Sequence, residues 1–165
     1  MATTSLRGDP VHTVGDLPAI GTRAPAYTLT GADLSDVSSD GFAGSRVVLN
    51  IFPSVDTDIC AESVRRFNQL AASLENTVVV CVSADLPFAM RRFSAAENIE
   101  NVVTGSVFRS SFGTDYGVTM TDGTMRGLLA RSVVVVDADG SVIHTEVVPD
   151  IGTEPDYDAA VAALG

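Results

Sequence analysis

Two short, almost continuously apolar runs on either side of an amphipathic segment constrain the fold of this chain most strongly. Residues 46–52 (RVVLNIF) and 77–83 (TVVVCVS) have the pattern of strands that are covered on both faces. Between them, Val64, Phe67 and Leu74 recur with helical spacing. A strand, a helix and a second strand in so short a segment predict a right-handed βαβ unit with parallel strands.

The same alternation continues towards the C-terminus, in segments predicted to form a short helix, a weak strand, a hairpin and a closing helix. In order, these segments are residues 87–96, 101–108, 132–137 with 141–148, and 154–164. Asp85 is predicted to cap the first of these helices, and Pro87 to lie in its first turn. Helices that alternate with buried strands, together with a hairpin, predict an α/β domain of three layers around a mixed sheet.

The N-terminal region has a different composition. Residues 1–30 are rich in glycine and proline, and residues 11–14 are predicted to form a hairpin strand across a turn at Gly8–Asp9–Pro10. No linker or internal repeat divides the chain. We therefore expect residues 1–165 to form a single domain, with residues 1–30 as a hairpin extension.

Charge and composition exclude several classes of function. The chain has 165 residues, of which 10 are basic, all arginine, and 21 are acidic, which gives a net charge of −11. Such a negative protein is not expected to bind nucleic acid or an anionic membrane surface. No apolar stretch is long enough for a signal peptide or a membrane span, and two cysteines are too few for a disulfide scaffold. We expect a cytoplasmic protein. A free thiol in such a protein is either a small buried side chain of the core or a reactive group.

The two cysteines differ in their sequence context. Cys60 falls in the predicted first turn of the helix that follows the first strand, and open α/β sheets carry their sites at such strand ends. The positive end of a helix favours the nucleophilic thiolate, and Thr57 can cap this helix with its hydroxyl near the sulfur. The alternative for Cys60 is a small apolar filler. Cys81, between Val80 and Val82 in a predicted strand, is expected to be inert core.

Arg131 immediately precedes the apolar run SVVVV, in a segment with no other charge. An arginine entering a buried strand needs an anionic partner, which a thiolate or a bound oxyanion would supply. The alternative is a side chain that reaches solvent from the strand end. His12, expected to be exposed, and His144, expected to be half-buried, lie in no motif, and their spacing with the cysteines matches no zinc site. A Cys–His catalytic pair stays open at this point.

Several strings of residues resemble one family along essentially the whole chain. Residues 53–60 (PSVDTDIC) resemble the peroxidatic loop of peroxiredoxins, in which proline and threonine precede the cysteine at fixed spacing. The strings NIFPSVDTDIC, DLPFAMRRF and GLLARSVVVVDADG, in this order, are similar to those of the bacterial thiol peroxidases, the atypical two-cysteine subfamily. The resemblance implies a thioredoxin-like domain with an added N-terminal hairpin.

The resemblance also implies roles for individual residues. Cys60 would be the peroxidatic cysteine, which attacks a hydroperoxide and becomes a sulfenic acid. Thr57 would hydrogen-bond the thiolate and the peroxide, Pro53 would shield the sulfur from water, and Arg131 would hold the thiolate and orient the peroxide. The subfamily has a resolving cysteine where this chain has Ser94, which cannot form the intramolecular disulfide. Either an external thiol resolves the sulfenic acid, or the serine was introduced to trap one redox state.

The function implied is that of a thiol-dependent peroxidase acting on hydrogen peroxide or organic hydroperoxides. Its reductant would be thioredoxin or another external thiol, its assembly a homodimer, and no metal, haem or flavin is implied. Two alternatives remain. A peroxide sensor or redox-switched binding module would use a single oxidation of Cys60, and the missing resolving cysteine favours it. A Cys–His hydrolase would require His12 or His144 beside Cys60.

Overall fold

The valine-rich runs of the sequence form the centre of a sheet with helices packed against it. The computed structural model describes residues 1–165. Its nine strands are β1 (Thr3–Leu6), β2 (Asp9–His12), β3 (Thr28–Thr30), β4 (Asp36–Ser38), β5 (Arg46–Ile51), β6 (Thr77–Ser83), β7 (Val103–Ser106), β8 (Ser132–Val136) and β9 (Val142–Val147). Its four α-helices are α1 (Asp58–Ala71), α2 (Pro87–Glu97), α3 (Phe112–Asp115) and α4 (Tyr157–Ala162). None of these helices has the length and apolarity that a membrane crossing requires.

Seven of the strands form one mixed sheet in the order β4–β3–β7–β6–β5–β8–β9. The pairs β5–β6 and β6–β7 are parallel, and the other neighbours are antiparallel. The predicted unit β5–α1–β6 and the predicted mixed sheet are therefore confirmed. Branched valine side chains suit these central strands because they pack well on a pleated surface that is buried on both faces.

Two apolar clusters lie on opposite faces of this sheet. The first packs Leu49 and Val134 against Phe112 of α3, and the second packs Val48 against Phe67 of α1. Val48 and Leu49 point to opposite faces because side chains alternate along a strand. Helices α2 and α4 also contribute side chains to the second cluster. The sheet thus lies between two layers, as predicted for a three-layer α/β domain.

The N-terminal region differs from the prediction in two respects. The hairpin β1–β2 turns at Arg7 and Gly8, not at Gly8–Asp9–Pro10, and both turn residues have positive φ, 53° and 87°. Such a two-residue turn matches the twist of the flanking strands. The predicted extension over residues 1–30 is also too long, since the hairpin ends at His12 and Thr28–Thr30 joins the main sheet. A three-residue strand is too short to give a periodic signal.

Candidate active site

Cys60 lies in the first turn of α1, beyond the end of the central strand β5. Its side chain is 0% exposed and belongs to the second apolar cluster. The loop from Pro53 to Thr57 connects the strand to the helix, and Thr57 occupies the N-cap position. The predicted position of the cysteine, at a helix start beside the carboxyl ends of parallel strands, is confirmed.

The side chain of Arg131 contacts the Cys60 sulfur. Arg131 is 2% exposed, and its Nη2 lies 3.3 Å from Sγ. It forms no salt bridge with any carboxylate. The alternative in which Arg131 reaches solvent is therefore wrong. A buried guanidinium without a carboxylate partner can stabilise an anion beside it, and the Cys60 sulfur is the group in contact with it.

One nitrogen of this guanidinium remains free. Nε and Nη2 of Arg131 donate to the carbonyl oxygen of Ile151 at 3.0 and 2.9 Å. Nη1 is buried and has no hydrogen-bond partner. A buried donor without an acceptor is unfavourable, and a catalytic or binding role is one explanation for such a group in a native protein. This N–H is thus available to an acceptor that enters beside the Cys60 sulfur.

Thr57 and Pro53 lie in the loop before Cys60. The Thr57 hydroxyl donates to the Ser54 carbonyl at 3.3 Å and makes no side-chain capping bond to α1. Thr57 is therefore the N-cap residue, as predicted, but its hydroxyl does not make the capping hydrogen bond, because the turn of the loop offers it a local carbonyl. Pro53, at the start of the loop, is buried.

The carboxylate of Asp85 fixes the conformation of this loop. It accepts hydrogen bonds from the Ser54 hydroxyl at 2.7 Å, the Val55 N–H at 2.8 Å and the Ser83 hydroxyl at 2.5 Å. The predicted cap of α2 by Asp85 is wrong, since Leu86 occupies that N-cap position and makes no capping bond. Sequence reasoning missed the role of Asp85 in the loop. The available signal was an acidic residue just beyond the end of a buried strand.

A buried polar chain lies behind Cys60. The Ser63 hydroxyl donates to the Cys60 carbonyl at 2.8 Å, and Nδ2 of Asn50 donates to the Ser63 hydroxyl at 3.2 Å. The same Nδ2 lies 3.7 Å from the Cys81 sulfur. Burial raises the pKa of Cys81 to about 12, so this thiol remains protonated. Sequence reasoning missed Asn50 and Ser63, although a polar residue inside an apolar strand run was visible.

The structure separates the histidines from the cysteine and places Ser94 on α2. Nδ1 of His12 lies 2.6 Å from the Asp122 carboxylate. Nε2 of His144, a residue of β9, is buried without any hydrogen-bond partner. Neither ring is bonded to the Cys60 sulfur, so the Cys–His pair that a hydrolase requires is not formed.

Comparison with known proteins identifies the family. The sequence matches the redoxin family over residues 19–161. It is 60% identical over 165 residues to the thiol peroxidase of Mycobacterium tuberculosis H37Rv, covering 100% of this chain and 99% of that protein. It is 55% identical over 164 residues to the thiol peroxidase of Corynebacterium glutamicum, covering 99% of each. The chain belongs to the thiol peroxidase family of redoxins.

Solved structures agree with this membership. A peroxiredoxin-like protein from Aquifex aeolicus is 37% identical and superposes with a TM-score of 0.94, covering 99% of this chain and 96% of that chain. The predicted thioredoxin-like fold is therefore confirmed. The predicted thiol-dependent peroxidase activity is confirmed by the thiol peroxidase relatives. The substrate is a peroxide and the reductant is a thiol.

Proposed function

We propose that this thiol peroxidase reduces hydroperoxides at Cys60 and that Arg131 binds the peroxide oxygen. The observation that carries the proposal is the Arg131 guanidinium itself, with Nη2 at 3.3 Å from the sulfur and Nη1 buried without a partner. One side chain therefore holds the nucleophile and offers a donor to the substrate.

The chemistry of this step follows from the charges present. The Cys60 thiolate attacks one peroxide oxygen, a sulfur–oxygen bond forms, and the oxygen–oxygen bond breaks. Sulfur loses two electrons and becomes a sulfenic acid, while the second oxygen departs as hydroxide or alkoxide and takes up a proton. Negative charge thus moves from sulfur to the leaving oxygen, and the free N–H of Arg131 meets it there.

Thr57 and Pro53 support the same step in this proposal. The Thr57 hydroxyl, bonded in this structure to a carbonyl of its own loop at 3.3 Å, becomes a donor to the peroxide once rotated. Pro53 is buried and offers no N–H, so it keeps water from the sulfur without competing for hydrogen bonds.

We also propose that an external thiol completes the cycle. Ser94 stands at the resolving position of the family and cannot form a disulfide, and Cys81 stays protonated inside β6 because burial raises its pKa to about 12. An external thiol then attacks the sulfenic acid and releases water, and a second thiol frees Cys60 and leaves as a disulfide. Thioredoxin or a small thiol suits this role, and such reductants place the enzyme in a reducing compartment, the cytoplasm.

Peroxide consumption by matched variants tests the function. We expect Cys60→Ser to abolish turnover and Arg131→Met to slow oxidation by about 10²- to 10³-fold with the fold retained, because a preorganised donor is lost. Arg126→Met, at an exposed arginine, serves as the control. A normal rate in Arg131→Met would contradict the proposal. A single stoichiometric oxidation without turnover, with thioredoxin and with dithiothreitol, would indicate the peroxide sensor instead.

An exposed apolar patch beside the site supports a homodimer, which we propose as the assembly. The patch consists of Leu86, Phe88 and Phe108, which are 51%, 55% and 45% exposed. The Ser106 hydroxyl links the start of α2 to the segment after β7, since it donates to the Asp85 carbonyl at 2.5 Å and accepts from the Phe108 N–H at 3.2 Å. Grouped large apolar side chains mark interaction surfaces, and in a dimer with a two-fold axis the same patch of each subunit meets its copy.

Sedimentation analysis tests this assembly. The enzyme is expected to sediment as a dimer, and the double variant Phe88→Ser with Phe108→Ser as a monomer, because the contact loses its apolar anchors. Ile20→Ser, at an apolar residue that is 63% exposed on another loop, is the matched control and should remain dimeric. A dimer that survives the double variant would place the interface elsewhere.

A further inference from the structure

The position of the Arg131 guanidinium depends on a backbone carbonyl. The guanidinium donates three hydrogen bonds. One goes to the Cys60 sulfur and two go to the Ile151 carbonyl oxygen. The segment that carries this carbonyl also pairs with the backbone of the arginine, since the Val148 N–H donates to the Arg131 carbonyl at 3.1 Å. Whatever fixes residues 148–151 therefore fixes where the guanidinium points.

Strand β1 of the N-terminal hairpin fixes this segment through hydrogen bonds. The Thr4 hydroxyl donates to the Val148 carbonyl at 2.7 Å, and the Ile151 N–H donates to the Ser5 carbonyl at 2.8 Å. The Ser5 hydroxyl lies 2.9 Å from the Pro149 carbonyl and 2.7 Å from the Asp150 carboxylate. The hydrogen bond from Ser5 holds the pKa of Asp150 below its usual value, so the acceptor is ionised.

Strand β2 of the hairpin fixes the same region through packing. Val11, Ile151 and Ala130 are 3%, 3% and 0% exposed and belong to one small apolar cluster with Met120. Ala130 directly precedes Arg131. The hairpin therefore packs against Ala130, which precedes Arg131, and against Ile151, whose carbonyl holds the guanidinium.

We propose that the hairpin is part of the active-site machinery and that Ser5 is a positioning residue for Arg131. The inference rests on the proposed role of Arg131 in binding the peroxide. Without the Ser5 hydroxyl, the segment carrying Ile151 is held less firmly, and the free Nη1 no longer meets the substrate oxygen in the productive geometry. Small displacements of such a donor are costly for the rate.

Rapid-mixing measurement of sulfenic acid formation at Cys60 tests this role. Ser5→Ala is expected to slow oxidation by about five- to tenfold, the effect of one lost hydrogen bond, and Ser5→Thr is expected to restore the rate. Ser35→Ala is the matched control, because Ser35 also hydrogen-bonds an aspartate, Asp33, in an exposed turn remote from the site. Thr4→Val, which removes the second hydroxyl at constant shape, is expected to act in the same direction as Ser5→Ala.

The double variant Ser5→Ala with Arg131→Met separates positioning from general destabilisation. If Ser5 acts through Arg131, removing it adds no further slowing once the guanidinium is gone. Equal slowing by Ser5→Ala in both backgrounds would overturn the inference, as would a normal rate in both Ser5→Ala and Thr4→Val while Arg131→Met is slow. A normal rate in Arg131→Met would instead overturn the proposed function.

Discussion

Two cysteines that are equally buried have different polar neighbours. Cys60 and Cys81 are both 0% exposed. The sulfur of Cys60 receives a hydrogen bond from a guanidinium at 3.3 Å, whereas the sulfur of Cys81 has only the Asn50 amide at 3.7 Å. The two sulfurs therefore differ in their polar neighbours and not in their depth, and the proposed reaction uses the one that a cation contacts.

The pH dependence of stability should report on Cys81. Burial raises the pKa of Cys81 from 9.0 to about 12, so the unfolded chain releases this proton at lower pH than the folded chain does. As the pH rises through this interval, the free energy of unfolding falls, by up to about 1.4 kcal/mol per pH unit. Cys81→Ala lacks this contribution, and urea unfolding between about pH 8 and pH 10.5 should show a flatter decline.

The control for this prediction is Val80→Ala, which shortens a neighbouring buried side chain of the same strand without removing a titrating group. This variant should have a lower free energy of unfolding at every pH, and the decline of that free energy with rising pH should be as steep as in the unchanged protein. Cys81→Ala should also keep the oxidation rate of Cys60, because its sulfur takes no part in the proposed step. If the free energy of unfolding of Cys81→Ala declined with pH as steeply as that of the unchanged protein, the Cys81 thiol would not be the source of the pH dependence.

Individual residues also show what could be predicted from the sequence. Cys60 and Arg131 were predictable because a helix start and a charge before an apolar run are local patterns. The hydrogen-bond partner of the Thr57 hydroxyl was not predictable, because this hydroxyl donates to the Ser54 carbonyl in a turn whose geometry no local pattern encodes. The hydrogen bond from Arg131 to Ile151 could not be predicted for a different reason. A backbone carbonyl acts as an acceptor whatever side chain its residue carries.

At the scale of elements, α2 is tied to the elements around the site by ion pairs. Arg92 of α2 contacts both carboxylate oxygens of Asp56 in the loop before α1, at 3.0 and 3.2 Å. Glu97 at the end of α2 contacts Arg65 of α1 at 3.0 Å. These pairs are partly to largely exposed, so they contribute little to stability. Ser94 lies between the two contacts on α2.

Restoring a thiol at position 94 should therefore change the oxidation product. The enzyme as it stands should form a sulfenic acid at Cys60 that dimedone traps and that excess peroxide converts to a sulfinic acid. Ser94→Cys should instead form an intramolecular disulfide with Cys60 after one equivalent of peroxide, and turn over efficiently with thioredoxin. Because a disulfide needs Cα atoms within about 7 Å, local unwinding of α2 or of the first turn of α1 accompanies it.

Mass spectrometry of peptides distinguishes the products. Ala95→Cys, at the next and more exposed position of α2, is the matched control and should not pair with Cys60, because it points about 100° away around the helix. Absence of the Cys60 disulfide in Ser94→Cys would show that position 94 is not the resolving position.

The short elements were beyond sequence reasoning. Strands β3 and β4 have three residues each and α3 has four, so none completes a periodic pattern. They are held by the sheet edge and by aromatic packing, with Phe112 and Tyr116 stacked at 4.3 Å between ring centroids. The long central elements were predictable because their apolar patterns extend over six residues or more.

At the scale of the whole molecule, the net charge of −11 acts on every charged reactant. Asp56, Asp58 and Glu62 add to this field near the start of α1. A neutral peroxide is indifferent to the field, whereas an external thiol that carries charge is attracted or repelled on approach. The two half-reactions should thus respond differently to salt.

Reduction of the Cys60 sulfenic acid should depend on the charge of the small thiol. At low ionic strength, cationic cysteamine should react about tenfold faster than anionic mercaptoethanesulfonate after correction for thiolate fraction, and about 0.5 M salt should remove most of the difference. Oxidation by hydrogen peroxide is the internal control and should change little with salt. Equal rates for the two thiols at low salt would show that the net charge of the protein does not affect the approach of a thiol to Cys60.

The complete enclosure of the Cys60 sulfur has a kinetic consequence. A side chain that is 0% exposed offers no collision surface, so we expect each encounter with a peroxide to require a brief opening of the groups packed around the sulfur. At low peroxide the observed rate should rise in proportion to concentration, and at high peroxide it should level off at the opening frequency. Hydrogen peroxide and a bulky alkyl hydroperoxide should then differ in the rate constant measured at low peroxide. They should share the same maximal rate at high peroxide, because the protein and not the oxidant sets it.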